Sequence, residues 1–335
     1  PTGLTLEEYL TQWLDNHSLT LSPHTHRRYE QVINLRIIPL LGKIPLEELK
    51  PLQIKNFYRK IIEQGCLHSK RKGDPLGQDS IDYHHRVLRK ALNDAVADEL
   101  IRENPVNKVK SPRITNEITD DDIDTEVQIL DEKQIAIMLN AAKKTPYYTL
   151  LFVAVRTGMR RGELLGLRWQ DIDFLNKKIS VRQTLGSSKT KGYFFKPPKS
   201  KKSRRIIDID KDVIKILKTH KAEQIENKLF FGEGYEKRDE DGLVFCQKNG
   251  KPLHPDTPSK WFPKFLVRNK LPRLNFHCLR HTHASLLVKA GVDIKLISER
   301  LGHSGIQITY DTYSHLYPDK QQEAVQILQK MLNTK

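Results

Sequence analysis

Cysteine is scarce in this 335-residue chain: Cys66, Cys246 and Cys278 are odd in number, unclustered and far apart. That pattern excludes a disulfide scaffold and a thiolate zinc site, and the expected setting is a reducing cytoplasm. No apolar run approaches the ~20 residues of a membrane span. No signal peptide opens the chain, which begins at Pro1 rather than Met. The expectation is a chain trimmed of natural N-terminal residues. Internal repeats are lacking too. Hydrophobic residues make up only 38%, yet 29% charged residues of both signs do not describe a disordered polymer.

What the chain does have is positive charge. Its 57 Lys and Arg against 41 Asp and Glu leave a formal +16. Residues 1–110 hold 17 basic and 14 acidic side chains, whereas 128–335 hold 39 and 21. Between them, 111–127 sets Arg113 against Glu117, Asp120, Asp121, Asp122, Asp124 and Glu126. The length predicts two domains or more, and the charge predicts that the larger one faces a polyanion.

The first part reads as helices. Thr5-Leu6-Glu7-Glu8 is a capping box, Ser22-Pro23 an N-cap followed by proline, and Pro51 opens a helix that Gly65 closes. Residues 66–77 read as a polar loop, and 79–98 as a long helix. The acidic segment 114–126 has no apolar period and reads as a linker. Helices resume at 131–142 and 147–156. Residues 177–185, 193–197 and 203–209 predict one small antiparallel sheet. The rest is mostly helical, at 211–227, 256–269, 278–290, 293–301 and 319–333.

Four stretches concentrate cationic or imidazole groups at helix starts and turns: Thr157-Gly158-Met159-Arg160-Arg161-Gly162-Glu163-Leu164, Pro198 to Arg205, His277-Cys278-Leu279-Arg280-His281-Thr282 and Leu301-Gly302-His303-Ser304. A fifth, Thr312-Tyr313-Ser314-His315-Leu316, places a tyrosine ten residues beyond His303. Singly, each has an ordinary explanation. Arginines of this kind are mostly solvated, His277 and Arg280, one helical turn apart, are commonly only neighbours, and Tyr313 suits a core.

Together and in this order they resemble the tyrosine recombinases, also called the phage integrase family. That family carries an arginine in a T-G-hydrophobic-R-x-x-E-L run, a β-hairpin lysine, H-x-x-R, L-G-H and a tyrosine about ten residues on. The match is Arg160, Lys199, His277, Arg280, His303 and Tyr313. Arg161, Tyr310, Lys201 and Lys202 are competitors by position. The text around Leu167–Asp173 and His281–Ser285 matches as well.

The resemblance implies a multidomain, mainly α fold. A helical, SAM-like core-binding bundle would span 1–110 and the acidic linker 111–127. An α-rich catalytic domain with a small antiparallel sheet would span 128–318. A final helix, 319–335, would dock on a neighbouring protomer, and an arm-binding N-terminal domain would be missing. The text resembles mobile-element integrases of Gram-positive bacteria more than chromosome-dimer resolvases.

The implied activity is strand cleavage and rejoining through a 3′-phosphotyrosyl bond, integrating and excising a mobile element. Two guanidiniums, Arg160 and Arg280, suit the oxygens of a phosphate under attack. His277 and His303 can add hydrogen bonds, and by resemblance His277 is the better candidate to take the phenol proton of Tyr313. Lys199 would protonate the departing 5′ oxygen.

No metal or other cofactor is expected. Asp171 and Asp173 lack a third clustered carboxylate, and His277, His281 and His283 lack a recognised zinc spacing. The implied partners are double-stranded DNA attachment sites, three further copies of the chain in a tetramer on two duplexes, and a directionality factor or host DNA-bending protein. Candidate DNA contacts are His24, Arg27, Arg28, Arg86, Arg89 and Lys90 on two helices, with Lys201 and Lys202 in the second half. A non-catalytic DNA-binding protein and a relaxing topoisomerase are the other readings of the same text.

Overall fold

The computed structural model describes residues 3–67, 72–114, 128–188, 192–198, 203–236, 242–317 and 321–332. The chain divides into two compact units, Pro1–Asp124 and Thr125–Lys335.

In the first unit, α1 (Leu6–His17) starts from the Thr5–Glu8 capping box, the Glu8 carboxylate accepting from the Thr5 backbone N–H at 2.8 Å. Helix α2 (Pro23–Val32) runs through a wide turn at Ile33–Ile37 into the short α3 (Ile38–Leu41). Helices α4 (Pro51–Gln64) and α5 (Gln78–Ala97) complete the bundle. Their apolar stripes meet in one core that includes Leu10, Trp13, Ile33, Ile54, Phe57 and Leu88. Polar ties fix the helices in place: Trp13 Nε1 donates to Asp94 at 2.9 Å and the Tyr9 hydroxyl to the Ala91 carbonyl at 2.6 Å.

The second unit holds α6 (Glu132–Ala142), α7 (Tyr148–Thr157), α8 (Arg161–Leu165), five short strands, and then α9 (Lys211–Phe231), α10 (Asp256–Arg268), α11 (Cys278–Lys289), α12 (Ile294–Leu301), α13 (Ile306–Tyr313) and α14 (Gln321–Leu332). Helix α7 is its axis, with Leu150 to Val155 buried without interruption. Each such side chain contributes about 1.5–3 kcal/mol on burial. A smaller core of Ala284, Val288, Ile297, Leu301 and Tyr313 joins α11, α12 and α13. Among the described residues, no helix is long and apolar enough to cross a membrane.

The strands differ from expectation. They form two sheets: β1 (Ile172–Asp173), β2 (Lys178–Val181) and β5 (Arg205–Asp208) in the order β1-β2-β5, and a hairpin of β3 (Thr184–Ser188) with β4 (Gly192–Lys196). All pairings are antiparallel, with Ile179 opposite Ile207 and Leu185 opposite Phe195. The continuous strand expected over 177–185 breaks at Arg182–Gln183. There the Gln183 amide donates to the Gly166 carbonyl at 2.8 Å, so the chain leaves one sheet to dock on α8 before starting the hairpin. Helix α13 escaped the periodicity reading, because it is short and leaves Ile306, Ile308 and Tyr310 exposed.

Two glycines let these elements approach. Gly158 ends α7 in the left-handed region at φ +64°, and a Cβ there would lie 2.6 Å from the His283 ring. Gly302 ends α12 at φ +68°, against the Arg205 side chain. Gly158→Ala is therefore expected to destabilise the second unit by about 2–4 kcal/mol, from left-handed strain plus overpacking. Urea unfolding followed by circular dichroism measures it.

Candidate active site

Five of the six predicted catalytic residues are described, and Lys199 lies outside the described residues, as do Lys201 and Lys202. Arg160 stands just before α8, His277 just before α11 with Arg280 in its first turn, His303 just after α12, and Tyr313 at the end of α13. A cleft of about 640 Å³ is lined by Arg160, Lys196, Ser203, His277, Arg280 and His303. Pro198, on the other side of residues 199–202 from Ser203, also lines it.

The guanidiniums of Arg160 and Arg205 are fixed by a carboxylate that is not among the predicted site residues. Glu163, 3% exposed, accepts from Arg160 Nη1 at 2.9 Å and from the Arg160 backbone N–H at 2.9 Å. Its oxygens also receive Arg205 Nη2 at 2.9 Å and Nη1 at 3.2 Å. Burial pushes its carboxyl up, but the bonds and charge of Arg205, then Arg160, outweigh that and hold it below the ordinary range. The signal was present in the sequence as the glutamate of T-G-x-R-x-x-E. Arg160 Nη2 reaches the Gly302 carbonyl at 3.0 Å, and Arg205 Nε reaches that of Arg300 at 2.6 Å. Both sit where the left-handed turn after α12 exposes carbonyls.

Arg280 is different. It is 3% exposed, and its Nη1 donates to the Gly158 carbonyl at 2.9 Å. Its Nη2 has no hydrogen-bond partner among the described residues. Burial, then the nearby Arg160, works against its charge, while Glu163 supports it.

The histidines are held neutral. Desolvation, then His281, Arg280, Arg160 and Arg161, pulls His277 down to about 4. His303, whose Nδ1 meets the Thr309 hydroxyl at 2.7 Å, is pulled down to about 4 by burial, then Arg280, Arg160 and Arg205. Tyr313 is 1% exposed, and burial lifts its phenol to about 12 against the opposing charge of Arg280. Its hydroxyl lies 2.6 Å from His281 Nδ1. The competitor Tyr310 is 55% exposed, and Arg161 is bonded to the Ser259 hydroxyl.

Behind the cleft, His283 is 6% exposed, with Nδ1 2.8 Å from the Val155 carbonyl and Nε2 accepting from Arg300 Nε at 3.1 Å. Burial, then Arg300, pulls it down to about 4.

In the first unit, Arg28 lies 4.0 Å from the centre of the Tyr83 ring and Arg86 5.6 Å from it. Arg27 is exposed. Arg89 donates to Asn107 at 2.8 Å, and Lys90 pairs with Asp94 at 2.8 Å. These two predicted contacts are thus engaged within the unit. The His24 side chain lies outside the description.

Comparison with known proteins gives one answer. Residues 128–320 match the phage integrase family, and residues 5–62 match the phage integrase N-terminal SAM-like domain. A protein named tyrosine recombinase XerC-like from Caldanaerobacter subterraneus subsp. tengcongensis is 31% identical over 339 residues, covering 97% of this chain and 83% of that one. The ICEBs1 integrase of Bacillus subtilis is 28% identical, covering 96% and 81%. Among solved structures, the Tn1549 transposon integrase in complex with a circular intermediate DNA shares the fold at TM-score 0.78 and 23% identity, covering 97% of this chain and 99% of that one.

Two outcomes are expected from this geometry. Glu163→Gln leaves buried guanidiniums without their counter-charge and lowers stability by about 3–5 kcal/mol in urea unfolding. His283 binds its proton less readily folded than unfolded, so its contribution is complete above about pH 6.5. It is lost as the pH falls toward 4, by up to about 3 kcal/mol. His283→Asn keeps a donor for Val155 and should show a shallower loss over that interval in pH-dependent unfolding.

Proposed function

We propose that this chain, which belongs to the phage integrase family and is a tyrosine-type site-specific DNA recombinase, integrates and excises a mobile genetic element, with Tyr313 as its nucleophile. The observation that carries the site assignment is Arg280: a buried guanidinium with an unpartnered Nη2, beside a second guanidinium and two imidazoles on one cleft. A buried cation whose nearest carboxylate, Glu163, is already bonded to two other guanidiniums is costly, and a bound anion relieves that cost. A scissile phosphate is that anion.

In this reading Arg160 and Arg280 bind the non-bridging oxygens and stabilise the added negative charge of the pentacoordinate state. When the Thr309 hydroxyl is the donor to its Nδ1, His303 carries its proton on Nε2 and can donate it to a phosphate oxygen. His277 is a second hydrogen-bonding group at the cleft. The Tyr313 oxygen attacks phosphorus, and the 5′ oxygen leaves with a proton from Lys199. The 3′-phosphotyrosyl bond conserves the energy of the phosphodiester, so a 5′ hydroxyl from another strand can reverse the step and exchange partners. No ATP enters the balance.

The domain assignment follows the same reading: 1–110 as the core-binding unit, 111–127 as linker and 128–318 as the catalytic unit. Arg27, Arg28 and Arg86 are the preferred DNA contacts of the first unit, because Arg27 is exposed and the stacking of Arg28 and Arg86 on Tyr83 leaves hydrogen-bond donors for phosphates. A tetramer on two attachment-site duplexes in the bacterial cytoplasm, with a directionality factor or host bending protein, is the proposed assembly. Residues 319–335 couple its active sites in trans. The exposed Val325, Leu328, Met331 and Leu332 of α14 support this. The names of relatives such as the ICEBs1 integrase and the Tn916 transposase support the mobile-element substrate.

A suicide substrate, nicked beside the cleavage position so that the short strand diffuses away, tests the chemistry. The wild-type chain and Tyr310→Phe are expected to accumulate a covalent protein–DNA adduct, and Tyr313→Phe is not. An adduct from Tyr313→Phe that Tyr310→Phe abolishes would transfer the nucleophile to Tyr310.

A further inference from the structure

We propose that His281, which belongs to none of the six motif positions, takes the phenol proton of Tyr313 during attack. The inference rests on the recombinase reading above and assigns one of its steps to a named atom. Helix α11 begins at Cys278, so His277 and His281 lie one turn apart on one of its faces and Arg280 projects beside them. His281 is the member of that group that meets the nucleophile: its Nδ1 lies 2.6 Å from the Tyr313 hydroxyl, with ring centroids 5.9 Å apart. The His277 ring stands edge-on to His281 at 4.9 Å, on the side of the cleft.

The donor can be assigned by chemistry. A phenol lifted to about 12 is protonated at neutral pH, so its O–H donates and Nδ1 accepts. His281 is then neutral, with its proton on Nε2. At rest, the groups facing His281 discourage a second proton: burial first, then Arg280, hold its pKa down. His277 and His303 are coupled to it and would be opposed by an imidazolium there. The resting pair therefore keeps the proton on oxygen, and Tyr313 is not a free phenolate.

Substrate changes both terms. A phosphate between Arg160 and Arg280 supplies the negative charge that those cations lack, and an anion near an imidazole favours its protonated form. The phenol meanwhile becomes far more acidic as its oxygen bonds to phosphorus. The step balances: the Tyr313 Oη–P bond forms, the Oη–H bond breaks and its proton passes to His281 Nδ1. The P–O5′ bond breaks, and O5′ takes a proton from Lys199. Rejoining runs the same transfers backwards. Base and phosphate-binding guanidinium thus come from the consecutive residues His281 and Arg280, so one helix fixes the phenol and the phosphate relative to each other.

The test is single-turnover adduct formation on the suicide substrate with the whole chain. His281→Asn places an amide oxygen near the position of Nδ1, so it keeps an acceptor for the phenol but removes the base. We expect it to slow cleavage by about 100-fold, the contribution usual for general-base catalysis. Replacing Tyr313 with 3,5-difluorotyrosine, a more acidic phenol, should recover at least about tenfold of that loss, because a weaker demand for the base is what the substitution supplies. A merely structural role for His281 predicts a loss without recovery, and that result overturns the inference. So does a His281→Asn rate within about threefold of wild type, or recovery seen only in His277→Asn, which makes His277 the base. Wild-type adduct formation in the same experiment separates these outcomes from a failure of the recombinase reading itself.

Discussion

One carboxylate organises the catalytic unit. Among the described residues of the site, Glu163 alone faces three guanidiniums, those of Arg160, Arg205 and Arg280. It bonds the first two directly and supports the third only through space. Everything around the cleft follows from that imbalance. Arg205 is pinned between Glu163 and the end of α12, which brings β5 and α12 together. Arg160 is pinned by the same carboxylate and by the Gly302 carbonyl, which holds it in the lining of the cleft. Arg280 is left with surplus charge, and the histidines beside it stay neutral because of their burial first and the neighbouring cationic charge second.

Such a site is costly to the fold and useful to the chemistry. Buried like charges contribute nothing to stability by themselves, and the two apolar cores of the second unit supply what holds them together. In return the donors are in position before any anion arrives, so little reorganisation accompanies the development of charge on phosphorus. The neutral state of His277, His281 and His303 belongs to the same arrangement. Each can accept or donate a hydrogen bond without adding to the repulsion, and each becomes easier to protonate once a phosphate has entered.

Much of this was legible in the sequence. The Thr5–Glu8 capping box, the helix-ending Gly65 and the long α5 are local signals, and the structure has them where the residues place them. The family resemblance rested on six separated side chains, of which Arg160, His277, Arg280 and His303 line one cleft, while Tyr313 is buried with its hydroxyl against His281. What the sequence withheld was long-range. The break between β2 and β3 depends on Gln183 meeting Gly166, a contact that no strand propensity encodes. Glu163 is visible in the sequence as the glutamate of the T-G-x-R-x-x-E run, but its partner Arg205, 42 residues away, is not. His281 stands in the sequence only as text beside the H-x-x-R motif and as a histidine without zinc spacing, and the packing of α13 against α11 brings Tyr313 to it.

The central claim is that the surplus guanidinium charge exists to meet the charge of one phosphate. A suicide substrate whose scissile phosphate is replaced by an uncharged methylphosphonate tests it most directly, by comparing single-turnover cleavage of the wild-type chain and Arg280→Ala on both substrates. The account predicts that the penalty for Arg280→Ala, at least about 100-fold on phosphate, shrinks to within about tenfold on the methylphosphonate. An undiminished penalty on the uncharged substrate would contradict it, since Arg280 would then be serving the fold rather than the phosphate.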